Sequence, residues 1–203
     1  GNIECPIGVA VDGDIRSAFE INVKGDVTVN GSIEDAIVQV EGNLSVGAGV
    51  LQGRIGSVSC GGNFSARFIE NTRASVRGDI IVSDNAINSS LVAGGRVEVL
   101  EGKGTIIGGH TAAVDSIEVK VLGSRMNIRT MVQVGVSFAA LQPIEQRLRD
   151  IEREMASIII AAGMGFFHVL ESSDAPEDPK LQQYLRRWRR LERHLARPGR
   201  GGD

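Results

Sequence analysis

Four aspartates, Asp12, Asp14, Asp26 and Asp79, come nearest to a catalytic set in this chain. Stacked-coil enzymes that cleave acidic polysaccharides place carboxylates on neighbouring coils, to hold a cation or to act as acid and base. Three of the four stand in Gly-Asp-apolar trios, Gly13-Asp14-Ile15, Gly25-Asp26-Val27 and Gly78-Asp79-Ile80, where turn chemistry explains an aspartate. Asn43, Asn63 and Arg96 take the equivalent place after Gly42, Gly62 and Gly95. A position that takes an amide or a guanidinium as readily as a carboxylate is no metal cage. These residues therefore read as corners, and the sequence nominates no catalytic, cofactor-binding or metal-binding residue.

Other constellations fail on spacing. Gly102-Lys103-Gly104-Thr105 departs from a phosphate loop, which needs Ser or Thr directly after the lysine and then a helix. Here Gly104 intervenes and strand-like Thr105-Ile106-Ile107 follows. His110, His168 and His194 lie in unrelated segments without ligand spacing. Ser89, Ser90 and Ser124 have no Ser-His-Asp context and no nucleophile elbow. Cys5 and Cys60 are too few and too far apart for a disulfide framework or a zinc site, and read as two small thiols in strands of a reducing compartment.

The remaining chemical signal is charge. The chain carries a net charge of −3, yet Lys180 to Arg200 holds eight Lys/Arg against the single Glu192. At helical spacing, Arg186, Arg189, Arg190 and Arg193 fall on one outer face, with Arg187 beside the apolar seam. Such a face can dock an acidic protein, an anionic membrane surface or nucleic acid. The plainer account is a solvated face paired with Glu145, Glu152 and Glu154. Aromatic residues interleaved for stacking on single-stranded nucleic acid are missing, since Tyr184 and Trp188 belong to the seam.

Residues 3–135 must position all of this. The Gly-Asp trio and its variants recur at intervals of roughly 12 to 20 residues, the signature of stacked coils. Each is followed by a short β-branched stretch in two-residue period, such as Val27-Thr28-Val29, Ile37-Val38-Gln39-Val40 or Val97-Glu98-Val99. Without room for crossover helices, such strands pair in parallel only by coiling. About seven coils would stack Val, Ile, Leu and Ala inward, with Asn and Asp forming polar ladders between equivalent corners. Of the 26 glycines, 21 lie in residues 1–135, implying many backbone positions with positive φ or close approach. Aromatics are only 4%, which suits a narrow core.

Near Val136 the period changes. Leu141, Ile144, Leu148, Ile151, Met155, Ile158 and Ala162 follow a heptad seam, with Pro143 in the first turn and Gly163 and Gly165 at the end. Phe166 and Phe167 are expected to pack back at its tip. A second seam runs through Leu181, Tyr184, Trp188, Leu191 and Leu195, stopped by Pro198 and Gly199. The apolar run Met155 to Leu170 is short of the ~20 residues of a spanning helix and is read as buried. No secretory signal is visible, and the opening at Gly1 without Met reads as a trimmed piece lacking an N-terminal part.

The stretch from Gly61 to Val136 adds an ordered set of motifs. It contains Ser65-Ala66-Arg67-Phe68-Ile69-Glu70-Asn71, Gly78-Asp79-Ile80-Ile81-Val82 and Asn88-Ser89-Ser90. Gly102-Lys103-Gly104-Thr105-Ile106-Ile107-Gly108-Gly109 follows, then Val121-Leu122-Gly123-Ser124, Thr130 and Val134-Gly135. Together with the helical segment this resembles the flagellar assembly protein A family, over nearly the whole chain. The resemblance implies a right-handed β-helix with a helical insertion, a cytoplasmic location and a non-enzymatic regulatory or scaffolding role. Members of the family usually carry an N-terminal domain and more chain after the helices.

The expected architecture is all-β: a right-handed parallel β-helix (solenoid) over 1–136. A C-terminal α-helical hairpin, a coiled-coil-like arm, occupies 137–203, with helices at 141–162 and 180–196. The expected function is a cytoplasmic scaffold or regulator, not an enzyme, recruiting acidic protein partners through Arg186, Arg189, Arg190 and Arg193 and the solenoid surface. A homo-oligomer is expected, without cofactor, nucleic acid or membrane span. The alternatives are a polymer-forming cytoskeletal rod resembling bactofilins and, further off, a β-helix enzyme acting on polysaccharide.

Overall fold

In the computed structural model, the described residues are 2–53, 56–135, 150–151, 154–155, 157–159, 161–163, 166, 170 and 178–195. The chain divides into two compact units, Gly1–Phe138 and Ala139–Asp203. The first is an all-parallel β-solenoid, with sixteen strands among the described residues.

Each coil turns through three faces. The first face stacks Asn2–Cys5, Glu20–Val23, Ile37–Val40, Ser57–Cys60 and Arg73–Val76, then the ends of Ile80–Ala93 and Thr105–Ala113, and finally Thr130–Val134. Strict alternation aims every second side chain inward, and register turns these into columns. One column reads Ile3, Ile21, Val38, Val58, Ala74, Leu91, Thr111, Val132, and its neighbour Cys5, Val23, Val40, Cys60, Val76, Ala93, Ala113, Val134. The second face contributes Val9, Val27, Leu44, Phe64, Ile80, Val97, Ile117 and the parallel column from Val11 to Val119, which fixes seven coils. The third face supplies Ile15, Ile33, Val50, Ile69, Ala86, Ile106 and Leu122. Apart from Thr111 and the exposed Leu122, Val132 and Val134, these columns form one contiguous apolar core. Stacking like on like at ~4.8 Å leaves no room for a layer of large rings, which is why β-branched residues fill it.

The corner between the first and second faces explains the Gly-Asp motif. A Cβ on Gly25, Gly42, Gly62 or Gly78 would meet the backbone of the preceding coil at 2.5–3.0 Å, and none of these glycines has positive φ. Close approach is the cause there. Left-handed backbone recurs at the corner between the third and first faces, at Ala18 (φ 64°), Asp35 (φ 42°), Asn71 (φ 51°), Asn88 (φ 49°) and Gly108 (φ 72°), and appears between the second and third faces at Gly102 and Gly104. Asp and Asn tolerate that conformation, so the turn needs glycine only in part.

That third corner also hides a polar seam that the sequence reading missed. Buried Gln52 mimics a strand neighbour: its amide accepts the Ala36 N–H at 3.0 Å and donates to the Ala36 carbonyl at 3.1 Å. Buried Thr72 and Ser89 each donate to the carbonyl two residues earlier, and the Ser89 hydroxyl accepts the Thr72 N–H at 3.2 Å. Buried polar groups are thereby satisfied where the strand ladder is interrupted.

The second unit is described in part. Residues 150–151, 154–155, 157–159 and 161–162 are helical, and Gly163 (φ 76°) closes that segment by donating its N–H to the Ile159 carbonyl at 2.9 Å. Leu141, Pro143, Ile144, Leu148 and Phe167 lie outside the described residues. The C-terminal helix runs Pro179–Leu195, within one residue of the expected ends, and Asp178 caps it through the Lys180 N–H at 2.8 Å. Among the described residues no helix is long and apolar enough to cross a membrane.

Candidate interaction surface on the C-terminal helix

The four aspartates do not meet. Asp26 and Asp79 occupy the same corner three coils apart, with Asn43 and Asn63 between them. Asp12 and Asp14 belong to the next corner, between the second and third faces. Placing Asp14 among the equivalents of Asp26 and Asp79 is therefore corrected: its register partner is Ser32. The aspartates serve ladders. Asp14 Oδ1 accepts the Ser32 N–H at 2.8 Å and its hydroxyl at 3.0 Å, which holds the carboxyl below its usual range. Asp12 accepts from the Asn30 amide at 3.1 Å. In the first corner, backbone N–H groups of Asn43, Asn63, Asp79 and Arg96 each bond the side-chain oxygen one coil below, at 2.7–3.0 Å. Among the described residues no three His, Cys, Asp or Glu side chains group to hold a metal ion.

Lys103 is exposed on a corner whose N–H bonds the Asp84 carboxylate at 2.9 Å. A Cβ on Gly109 would lie 2.1 Å from the Ser89 carbonyl, so the Gly108-Gly109 pair is a tight corner, not a phosphate cradle. His110 lies on the first face opposite Ser90, while His168 and the His194 side chain fall outside the described residues. Cys5 and Cys60 are both free, and Cys60 is buried with its thiol donating to the Gly42 carbonyl at 3.1 Å.

The C-terminal helix presents a different surface. Its buried ridge is Leu185, Trp188 and Leu191, with Leu181 and Tyr184 only half buried. The expected seam is buried at Trp188 and Leu191, half buried at Leu181 and Tyr184, and widened by Leu185, which lies beside it; the Leu195 side chain is outside the described residues. Leu185 was overlooked because spacings of three and four counted from Leu181 and Tyr184 step past the position beside the seam. Phe166 anchors the ridge edge-on, its ring 6.0 Å from Trp188 and 6.4 Å from Tyr184. From the other helical segment, Ile151, Met155 and Ile158 are buried.

With that ridge fixed inward, Arg186, Arg189, Arg190 and Arg193 are all exposed. They span two turns, a strip ~10 Å long. Arg187 is paired, its Nε donating to Glu154 at 2.5 Å, so one expected partnership with the first helical segment exists. Glu145 and Glu152 lie outside the described residues. Arg193 Nε bonds the Arg189 carbonyl at 3.2 Å, and none of the four guanidiniums forms an ion pair among the described residues. The strip is a cationic surface opposite a buried apolar ridge.

No curated protein and no solved structure matches the chain. One family does: its model, described as the flagellar assembly protein A beta solenoid domain, matches residues 1–197. That span contains the solenoid and the helix bearing the arginine strip, and the chain belongs to the flagellar assembly protein A β-solenoid family.

Proposed function

We propose that this protein is a non-enzymatic, cytoplasmic scaffold of flagellar assembly that recruits an acidic protein partner through the C-terminal helix. Arg186, Arg189, Arg190 and Arg193 carry that reading: four exposed guanidiniums on a helix whose apolar side is already occupied. A helix that lies on a membrane needs a free apolar face to insert, and this one has buried Leu185, Trp188 and Leu191. Fork-shaped guanidiniums at i, i+3, i+4 and i+7 suit carboxylates repeated along a partner's surface. The corners of the solenoid bond their own neighbours, which fits a frame that holds no substrate.

The test compares native-host lysate captured on the intact chain and on a variant with all four arginines changed to Glu, with helix content checked by circular dichroism. The reading expects one identified acidic protein to be lost from the folded variant and to elute from the parent at moderate salt. Equal capture by both chains would move recognition to the solenoid and sink the role given to the arginines.

A further inference from the structure

We infer that the arginine strip is the seat of one phosphate: the acidic partner docks in a phosphorylated form, with a phosphate monoester held between Arg186, Arg189, Arg190 and Arg193. This rests on the strip being a protein-docking surface, and adds the group that governs docking. The first observation is the outline of the strip. All four residues lie within one unbroken helix, Pro179–Leu195. At ~100° and ~1.5 Å per residue, Arg186 and Arg193 stand almost in line, ~10 Å apart along the axis. Arg189 and Arg190 flank the midpoint on either side. Positions spaced i, i+3, i+4 and i+7 thus enclose a diamond, the outline that receives one side chain of a facing helix where two helices pack. Its centre is within reach of all four long side chains. Arg193 already leans back over it, its Nε donating to the Arg189 carbonyl at 3.2 Å.

The second observation is charge. The four arginines are exposed, and among the described residues none of them forms an ion pair. Glu192, the one acid of this helix, lies outside the diamond, and Glu154 is taken up by Arg187. Four guanidiniums around one centre repel one another, and the anion that relieves them most is one of higher charge that touches several at once. A carboxylate brings a single charge and fills one fork. A phosphate monoester brings a charge of about −1.5 to −2 at neutral pH and three strong acceptor oxygens, enough for two or more forks. The carboxylates of the partner then meet the rim of the diamond.

Nucleic acid fits the same residues less well. A phosphodiester carries one charge per phosphate, spread along a chain, and matches a row of cations better than a diamond. Single strands also need rings to stack on, whereas Trp188 is buried and Tyr184 is half buried against Phe166.

The experiment measures fluorescence anisotropy of short acidic peptides on the full chain. The peptides are alike except at one central position, which is phosphoserine, serine or glutamate between flanking glutamates. At neutral pH the phosphopeptide is expected to bind about tenfold tighter than the glutamate peptide. A free phosphate monoester takes up a proton near pH ~6, well above a glutamate at about 4.3. Affinity for the phosphopeptide should therefore fall severalfold between about pH 7.5 and 5.5, while that for the glutamate peptide holds. Titration of the chain's own Glu154, Glu192 or His194 would move both peptides together, so the glutamate peptide is the control. A chain with Arg186→Lys, Arg189→Lys, Arg190→Lys and Arg193→Lys keeps the charge without the forks, and should lose most of the preference for phosphate. Equal affinity for the phosphoserine and glutamate peptides, or a phosphopeptide affinity indifferent to pH, overturns the phosphate and leaves carboxylate docking on the strip standing. A variant with all four arginines changed to Glu that keeps its helix content and still binds the phosphopeptide like the parent overturns both. A short single-stranded DNA bound as tightly as the phosphopeptide overturns the phosphate site too, since the strip would then take any polyanion.

Discussion

Asp26 and Asn43 stand one coil apart at equivalent corners, and a single oxygen joins them: Asp26 Oδ1 accepts the Asn43 backbone N–H at 2.7 Å and its side-chain N–H at 3.1 Å. The pattern continues through Asn63 and Asp79 to Arg96, whose Nε also reaches Asp79 Oδ2 at 3.2 Å. What each position requires is an acceptor oxygen for the N–H above. The charge on that side chain is secondary, so Asp and Asn interchange.

Asn63 tests this requirement. Asn63→Ala leaves the Asp79 N–H to water, and should lower stability by about 0.5–1 kcal/mol in urea unfolding. Asn63→Asp keeps the acceptor but sets a second carboxylate next to Asp79, so its stability should recover as salt is raised. A loss for Asn63→Asp that is indifferent to salt would refute the ladder account.

The glycine before each acceptor answers to distance. A Cβ on Gly78 would lie 2.8 Å from the Gly62 carbonyl oxygen and 2.2 Å from Asn63 Oδ1, while one on Gly13 would meet nothing within 4 Å. Gly78→Ala should therefore cost about 1–3 kcal/mol by forcing two coils apart. Gly13→Ala, in the same Gly-Asp-Ile sequence, should change stability by less than about 0.5 kcal/mol. Thermal unfolding of the pair decides whether motif or coil contact matters.

Asp14 predicts an acid dependence. The Ser32 N–H, then the Ser32 hydroxyl, hold its carboxyl below the usual aspartate range, with a smaller contribution from Arg16. A carboxyl depressed in the folded chain adds stability above its unfolded value of about 3.9, and that stability is lost as pH falls through the depressed folded value. Carbon-detected titration should place Asp14 below an exposed aspartate, and Ser32→Ala should raise it part of the way, since the backbone N–H remains. An unchanged midpoint in Ser32→Ala would remove the hydroxyl from the account.

The thiols predict unequal reactivity. Cys5 and Cys60 share a core column with Val23 and Val40 between them, so three coil rises of ~4.8 Å separate them, beyond the ~7 Å limit for a disulfide. Burial pushes the Cys60 thiol up, opposed by the backbone groups of Gly62 and Leu44. A thiol raised on folding is neutral below the unfolded value of about 8.5, and stability is lost as pH climbs from there through the raised folded value. A thiol-disulfide reagent at neutral pH should modify half-buried Cys5 first and Cys60 only on unfolding. Rapid modification of both would place Cys60 outside the core.

How much of this was legible depended on whether period or packing decided it. Val27-Thr28-Val29 and its equivalents announce both strand and inward face, because a period of two has no competing solution here. Gly78 and Asp79 showed a corner, but which corner each trio occupied required the register, and Gly13-Asp14 was misplaced for that reason. Gln52 gave no signal, since a glutamine that replaces a strand neighbour looks like any polar loop residue. Leu185 was missed because counting threes and fours from Leu181 and Tyr184 steps past the position beside the seam, which the packing of the helix also buries. Arg186, Arg189, Arg190 and Arg193 are exposed because their arc lies opposite that ridge. The exposure of Leu122, Val132 and Val134 was invisible, because these residues continue the inward pattern of the columns below them.

The anchor of the C-terminal helix supplies a last prediction. Trp188 is 1% exposed and Phe166 0%, and they meet edge to face, so removing either ring opens a void in a small core. Trp188→Ala should cost about 3–5 kcal/mol to this unit. Phe166→Ala and the double variant complete a cycle whose coupling should be about 0.5–1.5 kcal/mol if the ring contact itself contributes. Trp188 carries a second effect, because its indole N–H is buried and has no acceptor among the described residues. Trp188→Phe keeps most of the packing and deletes that unsatisfied donor, so it should cost far less than Trp188→Ala. Helical ellipticity at 222 nm should fall in the alanine variants while the solenoid's β signal persists. A Trp188→Phe loss as large as that of Trp188→Ala would show that the indole N–H has a partner essential to the fold of the helix.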